Sequence, residues 1–263
     1  MEWYRALDRA LCILYPRRCA GCGCLLPGGE FFCGDCKRAM ERDFSPRFLE
    51  EGYQGGGLPV WEQDAPDGFS MEKGACFPYR GPLRKAILTF KFYRGRLLER
   101  ELGGLLHRGF LRLFLDEPID AIQPVPLYQG DLRRRGYNQA GLLAKELSRR
   151  TGIPVVEALE KERRTPKQHH LDARQRRENL RGVFRVPEGR LAAIQDRRIL
   201  VVDDVTTTGS TLEECGRALF DAGAVRVYGL TLGAAVRAGV DPDYRGGKKS
   251  ETGITVDFAD SGG

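Results

Sequence analysis

Residues 199–211 read ILVVDDVTTTGST: four apolar residues, two adjacent carboxylates, then small hydroxylated residues and a glycine leading into a helical pattern. The run 199–202 is short, continuous and mostly β-branched, as in a strand buried on both faces of a parallel sheet. From Leu212 the period changes, and Leu212, Cys215, Leu219 and Ala222 share one helical face before Gly223 stops it. A phosphate at the start of such a helix meets unpaired backbone N–H groups and the positive end of the helix dipole. Gly209 permits close approach of the chain, while Thr207, Thr208, Ser210 and Thr211 offer hydroxyls. Asp203 and Asp204 fall at the carboxyl end of the predicted strand, where open α/β sheets bind ligands. Beside a phosphate they would repel it, so the expected partners of the two carboxylates are sugar hydroxyls or a Mg²⁺ ion.

These thirteen residues resemble the 5-phosphoribosyl 1-pyrophosphate (PRPP) binding motif of the type I phosphoribosyltransferases. The resemblance gives Asp203 and Asp204 the catalytic position. It makes Val205, Thr206, Thr207, Thr208, Gly209, Ser210 and Thr211 the PRPP-binding loop. A buried strand with an ordinary capped turn accounts for the apolar run and for Thr211, but not for an acidic pair followed by three threonines and a glycine. The sequence contains neither a GxxxxGK[ST] loop nor a GxGxxG after a strand.

At 263 residues the chain is long enough for one α/β domain and a small accessory module. Apolar residues at 41% and charged residues at 30% exclude a disordered chain. No apolar stretch reaches transmembrane length, so a cytoplasmic protein without membrane insertion is expected. Trp3, Leu7, Leu11 and Leu14 line one face of an expected amphipathic helix that packs on the body.

Four of the eight cysteines have metal-ligand spacing: Cys19-x2-Cys22 and Cys33-x2-Cys36, ten residues apart, with Gly21, Gly23 and Gly34 beside them. This pattern predicts a structural tetrahedral Zn²⁺ site in a ribbon or finger, all four positions filled by sulfur. Cys24 stands as an alternative to Cys22 if the register shifts by two. Cys12, Cys76 and Cys215 are isolated and read as small buried hydrophobes. Residues 46–75 are rich in glycine and proline and read as a linker; residues 238–263 read as a mobile polar tail.

The net charge of +6 is uneven: between Arg133 and Arg185 fifteen Lys or Arg face six Asp or Glu, a local +9 that leaves −3 for the rest. A field so confined suits a polyanion such as pyrophosphate or a nucleic-acid backbone. Just before it, residues 121–127 read as the first core strand, and at its start residues 132–139, LRRRGYNQ, read as a polar loop before a helix. Arg133, Arg134 and Arg135 present guanidinium forks to phosphate oxygens, and Gly136 lets backbone N–H groups reach the same anion. A second basic stretch, between expected strands at 155–159 and 183–186, reads as a lid. Arg163, Arg164, Lys167, Arg174, Arg176 and Arg177 are its nucleic-acid candidates, with Tyr137 to stack a base. His169 and His170 lack a third ligand nearby and are assigned no metal.

Taken together, the cysteine knuckles, FPYRGPL followed by KFYRG, VPL followed by RRRGYNQ, QHHL with RQRRENLRGVF, and the PRPP motif make the chain similar to the competence protein F (ComF) family over most of residues 19–236. The resemblance implies a parallel sheet flanked by helices, with a hood over the site: a phosphoribosyltransferase-like domain at 76–237 preceded by a helix and zinc ribbon at 1–45. It also implies a part in natural transformation, the inward transport of single-stranded DNA, with DNA-uptake proteins as partners. Many relatives carry a second pair of cysteine knuckles in the region matching residues 45–74, which this chain lacks. Two uses of the site stay open: phosphoribosyl transfer from PRPP with Mg²⁺, and non-catalytic binding of PRPP or a nucleotide in a module that holds single-stranded DNA. The sequence identifies no acceptor nucleophile.

Overall fold

The computed structural model describes residues 17–26, 29–49, 69–92, 95–163 and 182–235. The amino-terminal helix, most of the glycine-rich stretch at 46–75, residues 164–181 of the basic segment and the tail lie outside the described residues, as do Cys12, His169 and His170.

A five-stranded sheet forms the centre. Its strands are β1 (Arg47–Phe48), β2 (Met71–Pro78), β3 (Ala121–Pro124), β6 (Arg198–Thr206) and β7 (Arg226–Ala234), in the order β1-β2-β7-β6-β3. All pairings are parallel except that of β1 with β2. A single parallel bridge from Ile122 to Val155 extends the β3 edge. β2 begins at Met71 and precedes β3 in the chain, so part of the stretch read as a linker is sheet, and residues 121–127 hold the second long-range strand of the core rather than its first. Position 155, expected to open a strand, contributes only that bridge. The nearby two-stranded ribbon is formed by β4 (Glu160–Lys161) and β5 (Phe184–Arg185).

β6 is apolar at every position from Ile199 to Val202 because both its faces are covered. Leu200 and Val202 face a core shared with helices α2 (Gly81–Phe92), α3 (Glu99–Leu113) and α5 (Gln139–Thr151). Ile199 and Val201 face the opposite core, with Leu212, Cys215 and Leu219 of α6 (Ser210–Asp221) and Phe184 of the ribbon. Strand alternation therefore sorts the two cores residue by residue. Short connections bring α4 (Gln129–Arg135) directly after β3 and α6 directly after β6. Since β3 and β6 are parallel neighbours, both turns emerge on the same rim of the sheet.

The cysteine module packs on the α2 and α3 side. Cys19, Leu26, Phe32, Cys36 and Met40 belong to the same buried cluster as Leu83, Leu102 and Leu106, and α1 (Gly34–Asp43) carries Cys36 and Met40 into it. Arg108 of α3 makes two hydrogen bonds to the Glu41 carboxylate at 2.5 and 2.8 Å, and Arg80 reaches Asp43 at 2.9 Å. Among the described residues, no helix is long and apolar enough to cross a membrane.

Candidate functional site

β6 runs on to Thr206, so Asp203 and Asp204 are the end of the central strand itself and inherit its alternation. Asp204, 5% exposed, turns toward the α2 face, where Lys91 Nζ lies 3.0 Å from its Oδ2, close enough for an ion pair but off the line of a hydrogen bond. Asp203 turns toward the α6 face, and its Oδ1 accepts the Asp204 backbone N–H at 2.8 Å. Burial and the neighbouring Asp204 charge push the Asp203 carboxyl up to about 7, against the pull of Lys91. Burial pulls Lys91 down, but the charges of Asp204 and Asp203 outweigh it and leave the ammonium above its ordinary value.

The loop after β6 is held by its own hydroxyls. The Gly209 N–H donates to Thr206 Oγ1 at 3.0 Å, and Thr208 Oγ1 and Ser210 Oγ share a hydrogen bond of 2.7 Å. Gly209 is left-handed at φ 82 and caps α6, a conformation that costs residues with a Cβ about 1–2 kcal/mol. Thr207 stays exposed, Thr208 and Thr211 half-buried, and Ser210 is 3% exposed at the first position of α6. The hydroxyls, the first-turn N–H groups of α6 and the acidic pair thus converge on one rim, as expected for an anion cradle beside a sugar site.

The arginine triplet is helical rather than looped. Residues Gln129–Arg135 form α4, closed by Gly136 in a left-handed cap at φ 77. The expected loop is a seven-residue helix that buries no residue, so no apolar stripe in the sequence marks it. Successive helical positions diverge by about 100°, so the three guanidinium groups do not gather on one point. Arg134 pairs with Asp131 at 3.0 Å, Arg135 Nη1 donates to Gln139 Oε1 at 3.2 Å, and Arg133 and Arg134 are exposed. The turn after them is tied to the helix that carries Lys91. Tyr137 donates its hydroxyl to the Phe90 carbonyl at 2.5 Å, and Gln139 Nε2 donates to the Lys91 carbonyl at 3.4 Å. Asp204, Lys91, Gln139 and Arg135 therefore form one continuous set of contacts.

Three lysines of the site have no counterpart in the sequence reading. Lys91 lies in the KFYRG segment, but only the packing of α2 against β6 brings it to Asp204. Lys161 of β4 is half-buried, its Nζ 5.6 Å over the Phe184 ring. Burial lowers its pKa, while Cys215, Asp131 and Asp203 act in the opposite sense. The ribbon thus roots the basic segment beside the acidic pair. Arg163 is exposed just beyond β4; Arg164, Lys167, Arg174, Arg176 and Arg177 lie outside the described residues. Lys73 of β2 is 6% exposed and runs beneath Gly209. Chain spacing carries no signal for any of these approaches.

Beside the α4–α5 turn is a cavity of about 460 Å³ lined by Gln123, Pro126, Tyr137, Asn138, Lys145 and Arg190 among others. Its amides are engaged with backbone: Gln123 Oε1 accepts the Ala158 and Leu159 N–H groups, and Asn138 caps α5 through Ala140 and donates to the Val125 carbonyl.

In the amino-terminal module the Sγ atoms of Cys19, Cys22, Cys33 and Cys36 all lie within 4.8 Å of one another, which selects Cys22 over Cys24. The Cys22–Cys33 separation of 3.7 Å matches the edge of about 3.8 Å for a tetrahedron with metal–sulfur bonds of about 2.3 Å. Backbone N–H groups of Cys33 and Gly21 point at Cys19 Sγ, at 3.3 and 3.4 Å. Burial raises the Cys19 thiol, but these backbone donors and those near Cys22 outweigh it and hold it near 6. Four convergent sulfurs, one already favoured as thiolate, are a donor set that fits a structural metal ion. A Cβ at Gly21 would come within 2.8 Å of Cys36 Sγ, so the knuckle closes only around glycine.

Residues 132–258 match the phosphoribosyl transferase domain family. Competence protein F of Haemophilus influenzae is 39% identical over 58% of this chain and 69% of its own length. The DNA utilization protein YhgH of Escherichia coli O157:H7 is 34% identical over 74% of this chain and 86% of its own. With relatives at this identity over most of their own length, and a phosphoribosyl transferase domain, the chain belongs to the ComF family.

Proposed function

We propose that the chain binds PRPP at the carboxyl end of β6 and acts in the uptake of single-stranded DNA. The observation that carries this reading is the convergence, on one rim, of the acidic pair, the hydroxyl loop at the α6 N-terminus and the cations Lys91 and Lys161. In this assignment Thr207, Thr208, Gly209, Ser210 and Thr211 take the 5-phosphate. Asp203 and Asp204 take the ribose hydroxyls, and the pyrophosphate lies toward the α4–Gly136 turn, within reach of only those of Arg133, Arg134 and Arg135 that leave the helix on the side of the rim. The role in DNA uptake follows the names of the relatives, a competence protein and a DNA utilization protein.

The donors fit Mg²⁺, which prefers oxygen ligands and shares them with substrate phosphates. The Asp204 charge helps to raise the Asp203 carboxyl, and a cation relieves that repulsion. When bound, Mg²⁺ neutralises charge on the departing pyrophosphate. For the chain itself, phosphoribosyl transfer requires three things: the loop anchors the phosphate end, Asp203 and Asp204 orient the ribose, and the cations draw off negative charge as the bond from C1 to the pyrophosphate oxygen breaks. Lys91, paired with Asp204 at 3.0 Å, keeps that carboxylate directed inward until a sugar hydroxyl replaces it.

Calorimetry with PRPP tests the reading. Wild-type protein is expected to bind in a Mg²⁺-dependent manner and Asp204→Asn to weaken binding by about tenfold or more. Absence of PRPP binding by the wild type removes the proposal. Pyrophosphate release in the presence of a panel of bases, nucleosides and amines then distinguishes turnover from binding alone.

The second reading, a non-catalytic module for single-stranded DNA, is favoured by one observation: the β4–β5 ribbon plants the ends of the basic segment at Lys161 and Phe184, beside the same pocket. Nucleic acid held by that segment would then be close enough to respond to the occupant of the pocket.

A further inference from the structure

The cavity of about 460 Å³ beside the α4–α5 turn lies at the β3 edge of the sheet. Gln123 and Pro124 of β3, the turn at 136–138 and one face of α5 line it, and none of residues 203–211 does. Its walls are held without any occupant. Gln123, 1% exposed, has its oxygen on the Ala158 and Leu159 N–H groups and donates from its nitrogen to the Pro124 carbonyl at 2.6 Å. Asn138 is engaged with Ala140 and Val125, and Tyr137 with the Phe90 carbonyl. Small-molecule sites are largely preformed in this way, at volumes of about 300–1,000 Å³.

The lining divides by chemistry. Pro124, Pro126, Leu127, Leu142 and Leu159 offer an apolar wall. Three cations from three separate elements share the same space: Arg96 of the turn Gly95–Leu98, Lys145 of α5 and Arg190 of the turn Glu188–Ala193. Glu157 is the single lining carboxylate, which leaves the lining a net +2. Arg190 is compensated, since it donates to the Glu157 carbonyl at 2.9 Å and pairs with Glu160 at 3.3 Å. Arg96 and Lys145 make no ion pair or hydrogen bond among the described residues. A concave surface of one sign concentrates counter-ions. Bare phosphate would meet the charge and leave the apolar wall idle, and a nucleoside would do the reverse. A ligand with both a flat apolar body and a phosphate uses the whole lining, and the volume holds one nucleotide rather than a strand.

We propose that this cavity is a second ligand site, for a nucleoside monophosphate, with the phosphate on Arg96 and Lys145 and the base against Leu142 and Leu159. The site goes beyond the PRPP reading and does not depend on it.

Calorimetry on the full chain with adenosine 5′-monophosphate tests it, with adenosine, inorganic phosphate and PRPP plus Mg²⁺ titrated alongside. Wild type is expected to bind the nucleotide, and to bind adenosine and phosphate each about tenfold or more weakly. Arg96→Ala and Lys145→Ala, both at exposed positions, are each expected to weaken the nucleotide about tenfold, from loss of one charge-assisted contact. Lys85→Ala, exposed on α2 and outside the lining, is expected to change it by less than about twofold. PRPP binding by Lys145→Ala is expected to match wild type. Absence of nucleotide binding, unchanged nucleotide affinity in either cavity variant, or adenosine or phosphate binding as tightly as the nucleotide overturns the assignment. An equal loss of PRPP affinity in Lys145→Ala overturns it as a separate site. Failure of wild type to bind PRPP removes the reading of the rim and leaves nucleotide binding at this cavity to stand on its own titrations.

Discussion

Lys91 Nζ and Asp204 Oδ2 stand 3.0 Å apart, joining the end of α2 to the end of the central strand across a buried face of the sheet. On the other face, burial and the neighbouring Asp204 charge hold the Asp203 carboxyl up to about 7, against the pull of Lys91.

A pH dependence follows from Asp203. Its folded pKa of about 7 lies above its ordinary 3.8, so between those values the folded chain holds a proton that the unfolded chain has released. The stabilisation is complete below about pH 4 and is lost as pH rises through about 7. Thermal melting of the ligand-free protein from pH 5 to 8 is expected to show a falling midpoint for wild type, and a flatter profile for Asp203→Asn.

The cysteine cluster is expected to hold about one zinc ion per chain, measured by elemental analysis. Cys36→Ser is expected to lose the metal and to lower the melting temperature of the whole protein, because Cys19 and Cys36 sit in the same buried cluster as α2 and α3. Cys24→Ser, outside the set of four, is expected to retain full metal content.

Helices α3 and α5 approach so closely at Gly103 that an added Cβ would stand 2.3 Å from Glu146 Cγ. Glu146 cannot swing aside: it is 3% exposed and bound by Arg149 at 2.7 and 2.8 Å and by Arg150 at 2.7 Å. Gly103→Ala is expected to destabilise the fold by about 2–3 kcal/mol in urea unfolding, the scale of an overpacked core. Gly189→Ala, where nothing lies within 4 Å, is the control and should change stability by less than about 1 kcal/mol.

Single-stranded DNA binding by the basic segment is testable at its described root. Arg163 is exposed immediately beyond β4. Fluorescence anisotropy with oligothymidine is expected to show affinity falling steeply with salt. Arg163→Glu should weaken binding several-fold and reduce the salt slope by about one. An affinity independent of salt would contradict the nucleic-acid reading.

Much of the fold was legible in residue order because it depends on local periodicity. The apolar run from Ile199 to Val202 marked a strand covered on both faces, the shift to a helical period marked α6, and paired Cys-x2-Cys spacing marked a sulfur cluster. The arginine helix was misread as a loop because its charged residues and closing glycine give no apolar stripe to count; it buries no residue. β2 was obscured for a related reason: it begins within a glycine-rich stretch and gains its place only by pairing with β7.

The sequence by itself determined the chemistry available: the acidic pair, the hydroxyl loop with its glycine, the four sulfurs and the concentration of basic charge. Tertiary structure decided which of these meet. It sent Asp203 and Asp204 to opposite faces, chose Cys22 over Cys24, and brought Lys73, Lys91 and Lys161 to the rim from three separate elements. Short-range pattern encodes local backbone conformation, whereas ion pairs across a sheet depend on how strands are ordered and helices docked, which is set by burial of the whole core.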